Sequence, residues 1–254
     1  MNNPAESASS PLDCPDLVHF DRVKDALHRG HAAVMVGSGF SRNAEGGEKS
    51  LLWKDLAQYL CLEKKTEPVG ARDVPRLAEQ YEAVRTRADL DNIIKSILPD
   101  EGSILPGVLH RELLALPWTE VFTTNYDTLL ERTCILDQQS ILPRITPRYR
   151  IVYCTEDLPQ SRSDSRRRIV KLHGSFPSLR RFIITEEDYR RYPQEFSPFV
   201  NTVQQSLLEN IFCLIGFSGD DPNFLNWTGW IRDRLGEYQP NIYLLSDSDY
   251  TVGE

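Results

Sequence analysis

The sequence predicts an α/β fold: a doubly wound parallel sheet carrying a helical insertion. Short runs such as "HAAVMV", "RIVKL" and "IFCLI" are apolar over most or all of their length, and "WTEVFTT" has an apolar centre, as strands covered on both faces should. Amphipathic helical patterns separate them, and that alternation sets the strands parallel with helices on either face. Each run also stops at a glycine or a cluster of short polar residues, the mark of a strand's carboxyl end.

The elements follow in order. Residues 1–16, rich in Ser, Ala, Asn and Pro, read as a flexible tail, and residues 17–254 as one domain. Phe20, Val23, Ala26 and Leu27 share one helix face, and "HAAVMV" is the first strand, ending at "GSGFS". From about 51 to 116, "LLWKDLAQYLCLE", "VPRLAEQYEAV", "LDNIIKSIL" and "PGVLHRELLAL" are helical segments of an insertion or cap. "WTEVFTT" is the second strand and "DTLLERTC" a helix; a loop-rich stretch with the basic run "RSDSRRR" extends to about Arg167. "RIVKL" is a strand. "RFIITEEDYRRY" reads as strand then helix, with Thr185 as N-cap and Glu186, Glu187 and Asp188 against the helix dipole. The helix "SPFVNTVQQSLLEN", the strand and turn "IFCLIGFSGDDPNF", a helix to about Leu235 and the strand "NIYLL" close the pattern.

Bulk properties exclude several classes. With 29 basic and 37 acidic side chains the net charge is −8, which repels nucleic acid at long range, so direct nucleic-acid binding is not expected. No run approaches the roughly 18 to 20 apolar residues of a membrane helix, and the start has no secretory pattern. Five cysteines without a C-x₂-C pair point away from a disulfide framework or structural zinc, and towards a reduced, cytoplasmic protein.

In a parallel sheet the carboxyl ends of the strands share one rim, where ligands collect. Four endings meet there: Gly37-Ser38-Gly39-Phe40-Ser41, Thr123 to Asp127, His173-Gly174-Ser175 and Gly216 to Asp221. "GSGFS" has the form of a phosphate cradle, but it serves equally as a strand-ending turn, and Arg42 stands where G-x-G-x-x-G needs its third glycine. Asn125 and Asp127 suit a helix cap, yet only one residue can be the N-cap, which leaves the rest of "TTNYD" to another purpose. His173 is either a hydrogen-bonded structural residue or a proton acceptor near neutral pH.

Taken together and in this order, "GSGFS", "TTNYDTLLE", "KLHGS", "ITEEDY" and "IGFSGDDPNF" resemble the sirtuin-like family, in its prokaryotic NAD-consuming branch of anti-phage defence. The resemblance runs from about Phe20 to Leu245 and implies a Rossmann-like, NAD-binding sheet. By similarity, Gly37, Ser38, Gly39 and Ser41 would contact the NAD phosphates, while the turn holding Thr124 and Asp127 would grip the nicotinamide riboside. Asn125 would position water near the ribose, His173 would accept a proton from a ribose hydroxyl, and Gly216 and Ser218 would lie near the adenosine. Asp220 and Asp221 would instead cap the next helix.

The chain departs from the deacetylase members of that family. It has no four-cysteine zinc ribbon, and "RNAEGGEKSLLW" stands where their P-D-F-R signature would be. The implied activity is therefore cleavage of the nicotinamide–ribose bond of NAD⁺ by water, with NAD⁺ as substrate and no metal. Family members of this kind work as homo-oligomers or with a partner ATPase, an Argonaute-type protein or a sensor. A sensor that binds NAD or an ADP-ribose derivative without cleaving it, and a zinc-free protein deacylase, remain the alternatives.

Overall fold

The computed structural model describes residues 15–46, 56–60, 74–98, 104–140, 148–162, 166–176, 180–217, 219 and 221–245. Its centre is a parallel sheet of β1 (Ala32–Val36), β2 (Glu120–Thr123), β3 (Tyr149–Val152), β4 (Arg167–Lys171), β5 (Ile211–Ile215) and β6 (Ile242–Leu245). The spatial order is β3-β4-β2-β1-β5-β6, and every neighbouring pair runs parallel. The doubly wound, Rossmann-like α/β class expected from the apolar runs is the class observed.

Strand side chains alternate between faces, and each face has its own core. Ala33 and Met35 of β1 join Phe122, Val170, Phe212 and Leu214 under α7 (Glu186–Glu195), α8 (Ser197–Glu209) and α9 (Pro222–Leu235). Ala32, Val34 and Val36 join Val121, Ile169 and Cys213 under α1 (Pro15–Arg29), α4 (Val108–Ala115) and α5 (Leu129–Gln138). Because β1 is covered on both sides, its run tolerates no polar residue. Each large side chain such as Met35 or Phe122 contributes roughly 1.5–3 kcal/mol by leaving water.

Between β1 and β2 in the chain, α2 (Val74–Val84), α3 (Arg87–Ile97) and the helical residues 56–60 form a third apolar cluster. It closes over Tyr126, Phe182 and Ile184, so these helices sit against the turns that follow β2 and β4. Arg87 anchors them, with ion pairs to Asp188 at 2.8 Å and Asp91 at 2.9 Å and a hydrogen bond to the Phe182 carbonyl.

Three local expectations are corrected. Arg181 to Ile184 is not a strand. Asp188 accepts from the Ile184 and Thr185 amides, the Ile183 amide donates to the His173 carbonyl, and Arg87 takes the Phe182 carbonyl. Backbone groups spent in this way cannot build a ladder. Thr185 does cap α7, in a reciprocal box with Asp188. The stretch before Arg167 contains the edge strand β3 and the short helix α6 (Asp157–Arg162), hidden from a periodicity reading because this edge strand mixes half-buried and buried positions without alternation. The basic run is also not all loop. Arg167 donates to the Trp118 carbonyl at 2.7 Å, and Arg168 pairs with Glu120 across β4 and β2.

No helix among the described residues is long and apolar enough to cross a membrane.

Candidate functional site

Register aligns the strand ends. Ile215 pairs with Val36, Val36 with Thr123, and Thr123 with Lys171, so the turns after β5, β1, β2 and β4 start level on one rim. The chain leaves β1 towards β2 on one side and later returns through β5 on the other. That change of direction is the switch point at which open α/β sheets bind ligands.

The turns after β1 and β5 touch through bare backbone. The amides of Gly37 and Gly39 donate to the carbonyls of Ile215 at 3.0 Å and Gly216 at 2.9 Å. A Cβ on Gly216, whose φ is +59°, would fall on the Phe40 backbone nitrogen, and one on Gly37 would strike the Gly216 carbonyl. These glycines are thus required by the contact between the two turns, independently of any phosphate. Ser38 and Gly39 are partly accessible on the rim. Ser218 and Asp220 lie outside the described residues.

The polar turn after β2 has an internal logic. Thr123 Oγ1 donates to the Val36 carbonyl at 2.8 Å and accepts from the Asn125 amide at 3.1 Å, pinning the turn to β1. Asp127 Oδ1 accepts from the Leu129 amide at 3.1 Å, opening α5, while its Oδ2 receives Ser41 Oγ at 2.8 Å. Ser41 Oγ in turn accepts Asn125 Nδ2 at 3.1 Å. The order is forced. An ionised carboxylate only accepts, so the single hydroxyl proton of Ser41 goes to Asp127, and Asn125 must present its NH₂ to Ser41. The carbonyl oxygen of Asn125 is left buried with no partner among the described residues. Thr124 is buried in the same turn.

Beneath the turn lies a buried ion pair. Lys171 Nζ meets Glu131 Oε1 at 3.0 Å and donates to the Asp127 carbonyl at 2.5 Å. Ser175 Oγ adds a contact to Glu131 Oε1 at 3.3 Å. A charged residue at the end of an apolar strand was the available signal for Lys171, and the sequence reading did not use it.

His173 lies two residues past β4, as Asn125 lies two past β2, and it is fully buried. Its Nε2 is 3.2 Å from Asn223 Nδ2 and 3.7 Å from Asp221 Oδ2, while Nδ1 has no partner among the described residues. Tyr189 and Tyr192 pack edge-on against the ring, at 5.4 Å and 6.0 Å between centroids. Burial holds His173 below the ordinary histidine range. Asp221 and Asp188 oppose that shift, and Arg180 adds to it. The imidazole is therefore neutral near pH 7 and able to take a proton.

The predicted residues thus form three groups. Gly37, Gly39 and Gly216 make the turn-on-turn contact; Ser41, Asn125 and Asp127 form one hydrogen-bonded chain; His173 stands in its own cage. No hydrogen bond joins Asn125 to His173 among the described residues, but both turns are fastened to Ile183. Its carbonyl accepts from Tyr126 Oη at 2.7 Å, and its amide donates to the His173 carbonyl at 3.0 Å. Sequence reasoning missed Asn223 and Tyr189, and it treated Asp221 as a cap alone. A cleft of about 1050 Å³ opens at the opposite, amino-terminal rim, beside His31, Thr119, Glu120, Arg168 and Asn210, away from all of these groups. No cluster of three or more His, Cys, Asp or Glu suited to a metal occurs among the described residues.

Comparison with known proteins points the same way. A family model described as a SIR2-like domain matches residues 119–252. The chain is 28% identical over 242 residues to an NAD(+) hydrolase ThsA from Acinetobacter baumannii, covering 93% of this chain and 47% of that protein. It is likewise 28% identical over 227 residues to an NAD(+) hydrolase ThsA from Enterococcus faecium, covering 88% of this chain and 45% of the relative. A more distant relative is a defense-associated sirtuin 2 from Bacillus subtilis, 21% identical over 213 residues, 83% of this chain and 20% of that protein. The chain spans about half the length of the two hydrolases.

Proposed function

The chain belongs to the SIR2-like domain family, and from that premise we propose that it binds NAD⁺ at the carboxyl rim of its sheet and hydrolyses the nicotinamide–ribose bond. One observation carries this reading. Two buried polar atoms, the Asn125 carbonyl oxygen and His173 Nδ1, lack partners among the described residues, at equivalent positions beyond neighbouring strands in register. Buried polar groups are nearly always satisfied, so an unpaired couple on a ligand-binding rim is matched to a polar ligand. Ribose hydroxyls and an attacking water have the complementary chemistry.

In this mechanism the C–N bond between ribose and nicotinamide breaks, and nicotinamide leaves neutral while positive charge develops on the ribose. Asn125, with its amide turned by Ser41, directs its carbonyl oxygen to the ribose or to the water that forms the new C–O bond. His173 accepts a proton from a ribose hydroxyl, a role worth roughly 10²- to 10⁴-fold. The products are nicotinamide, ADP-ribose and one proton. In this reading the turn from Gly37 to Ser41 contacts the phosphates, Thr124 and Asp127 the nicotinamide riboside, and Gly216, with Ser218 outside the described residues, the adenosine side. Within the helical insertion, about 51–116, the helices at 56–60, 74–84 and 87–97 serve as a cap over the nicotinamide end, whereas α4 packs on the sheet. The apolar cluster of the cap, which includes Tyr126 beside Asn125, supports that placement.

The name of the Bacillus subtilis relative, a defense-associated sirtuin, supports a role in defence, with NAD⁺ depletion in a reduced cytoplasm as the effector activity. Regulation comes from self-assembly or from a partner protein. The test is incubation of the purified protein, in its assembled state, with NAD⁺ and chromatography of the products. Wild type should release nicotinamide and ADP-ribose, while Asn125→Ala and His173→Ala should fold and lose at least about a hundredfold in rate. Folded variants that remain active would reject these roles. Binding of NAD⁺ without turnover would favour the sensor reading, and release of nicotinamide only with an acylated peptide would favour a deacylase.

A further inference from the structure

We propose that Asp221 is the positioning residue for His173, holding the Nε2 side of the ring so that a proton taken up at Nδ1 is stabilised as an imidazolium. The catalytic part of this inference rests on the proposed function; the pairing itself does not.

Asp221 divides its two oxygens between tasks. Oδ1 caps α9, accepting from the Asn223 amide at 3.0 Å and the Phe224 amide at 3.1 Å. A cap needs no more than that, and Asn or Ser would serve equally well. Oδ2 points inward, accepts from Tyr189 Oη at 3.3 Å and lies 3.7 Å from His173 Nε2. The side chain of Asp221 is 4% exposed and that of His173 is 0% exposed, so the carboxylate acts across a poorly screened gap.

The surroundings fix the direction of the effect. Asp188 on α7 also favours the charged ring, and Arg180, from the segment after β4, disfavours it. Tyr189 and Tyr192 meet the ring edge-on and prevent it from turning. Two proton arrangements are available to the neutral ring. With the proton on Nδ1, Nε2 accepts from Asn223. With the proton on Nε2, the N–H faces Asp221, Asn223 turns its amide over, and the Nδ1 lone pair is free. Only the second arrangement can receive the ribose proton. That proton passes from oxygen to Nδ1, Nε2 keeps its own, and the resulting positive charge faces Asp221.

The experiment compares Asp221→Asn and Asp221→Ser, which both keep a capping side chain, with wild type. Side-chain nitrogen NMR of histidine, assigned with His173→Ala, follows the ring through a pH titration without NAD⁺. In both variants the His173 midpoint should fall by about one pH unit or more. The acid limb of NAD⁺ cleavage should follow it downward, with kcat reduced roughly 10- to 100-fold and KM little changed. A His173 midpoint equal to wild type would overturn the pairing whatever the enzyme does. A lowered midpoint with an unchanged rate profile would overturn its catalytic use. A lowered midpoint in a protein that never cleaves NAD⁺ would uphold the pairing and sink the proposed function.

Discussion

Ser41→Ala removes the middle of the chain from Asn125 to Asp127, and the structure sets the size of the effect. Asn125 Nδ2 loses its acceptor in a residue that is 8% exposed, so water cannot readily replace it. An unsatisfied buried donor of this kind costs about 1–3 kcal/mol. Asp127 Oδ2 loses a donor as well, but this carboxylate is only half-buried and water recovers much of that bond. The expected destabilisation is about 2–3 kcal/mol, a fall in Tm of about 4–12 °C for a chain of this size. Urea unfolding followed by tryptophan fluorescence measures it.

A cycle with Asn125→Ala sharpens the prediction. Once the amide is gone Ser41 has nothing to orient, so the double variant should be more stable than the sum of the single effects implies, by roughly 0.5–3 kcal/mol. The proposed NAD⁺ cleavage should also slow in Ser41→Ala, by about a hundredfold, because the Asn125 carbonyl loses its fixed direction. A Ser41→Ala protein within about 0.5 kcal/mol of wild type, or strict additivity in the cycle, would refute the hydrogen-bond order derived for this turn.

Two further outcomes are expected. Gly216→Ala should lose about 2–4 kcal/mol from its positive φ and from overlap with the Phe40 backbone. Gly219→Ala, with φ +80° but open space around its Cβ, should lose only about 1 kcal/mol; equal losses in urea unfolding would contradict the turn-on-turn contact. Burial lowers His110 to about 4, with Arg132 adding to the shift and Asp127 opposing it, so the unfolded chain takes up its proton first as pH falls. Stability present above pH 6.5 should therefore drain away between there and pH 4, by roughly 3 kcal/mol from this group. His110→Gln keeps an acceptor for the Gly107 amide and removes the titration. Its urea midpoint should fall less on acidification than that of wild type, and parallel curves would exclude His110 as the source.

Much of the fold was legible because burial on both faces writes itself into the chain as uninterrupted apolar runs. β1 and β5 were visible for that reason, and β2 and β4 through their apolar centres Val121-Phe122 and Ile169-Val170 between polar ends. β3 was not, since its position at the sheet edge leaves Arg150 and Ile151 only half-buried and lets a charged residue into a short strand. The segment before α7 misled because its apolar character is real and Phe182 to Ile184 are buried, while its backbone partners come from Asp188, His173 and Arg87, which no local pattern reveals.

The candidate site divides along the same line. Residue types at strand ends are local, so Ser41, Asn125, Asp127 and His173 could be picked out from the chain together with the glycine turns around them. The sequence alone determined the layered class, the shared rim and the choice of polar groups upon it. Tertiary structure decided what each group does. Ser41 and Asn125 are 84 positions apart, and His173 and Asp221 lie on elements that meet only when β4 and α9 pack. Hydrogen-bond order and the polarity around an imidazole depend on such through-space neighbours, whereas strand burial is recorded residue by residue. That difference in range is why the chain announced its sheet and kept the pairing of its histidine until it was folded.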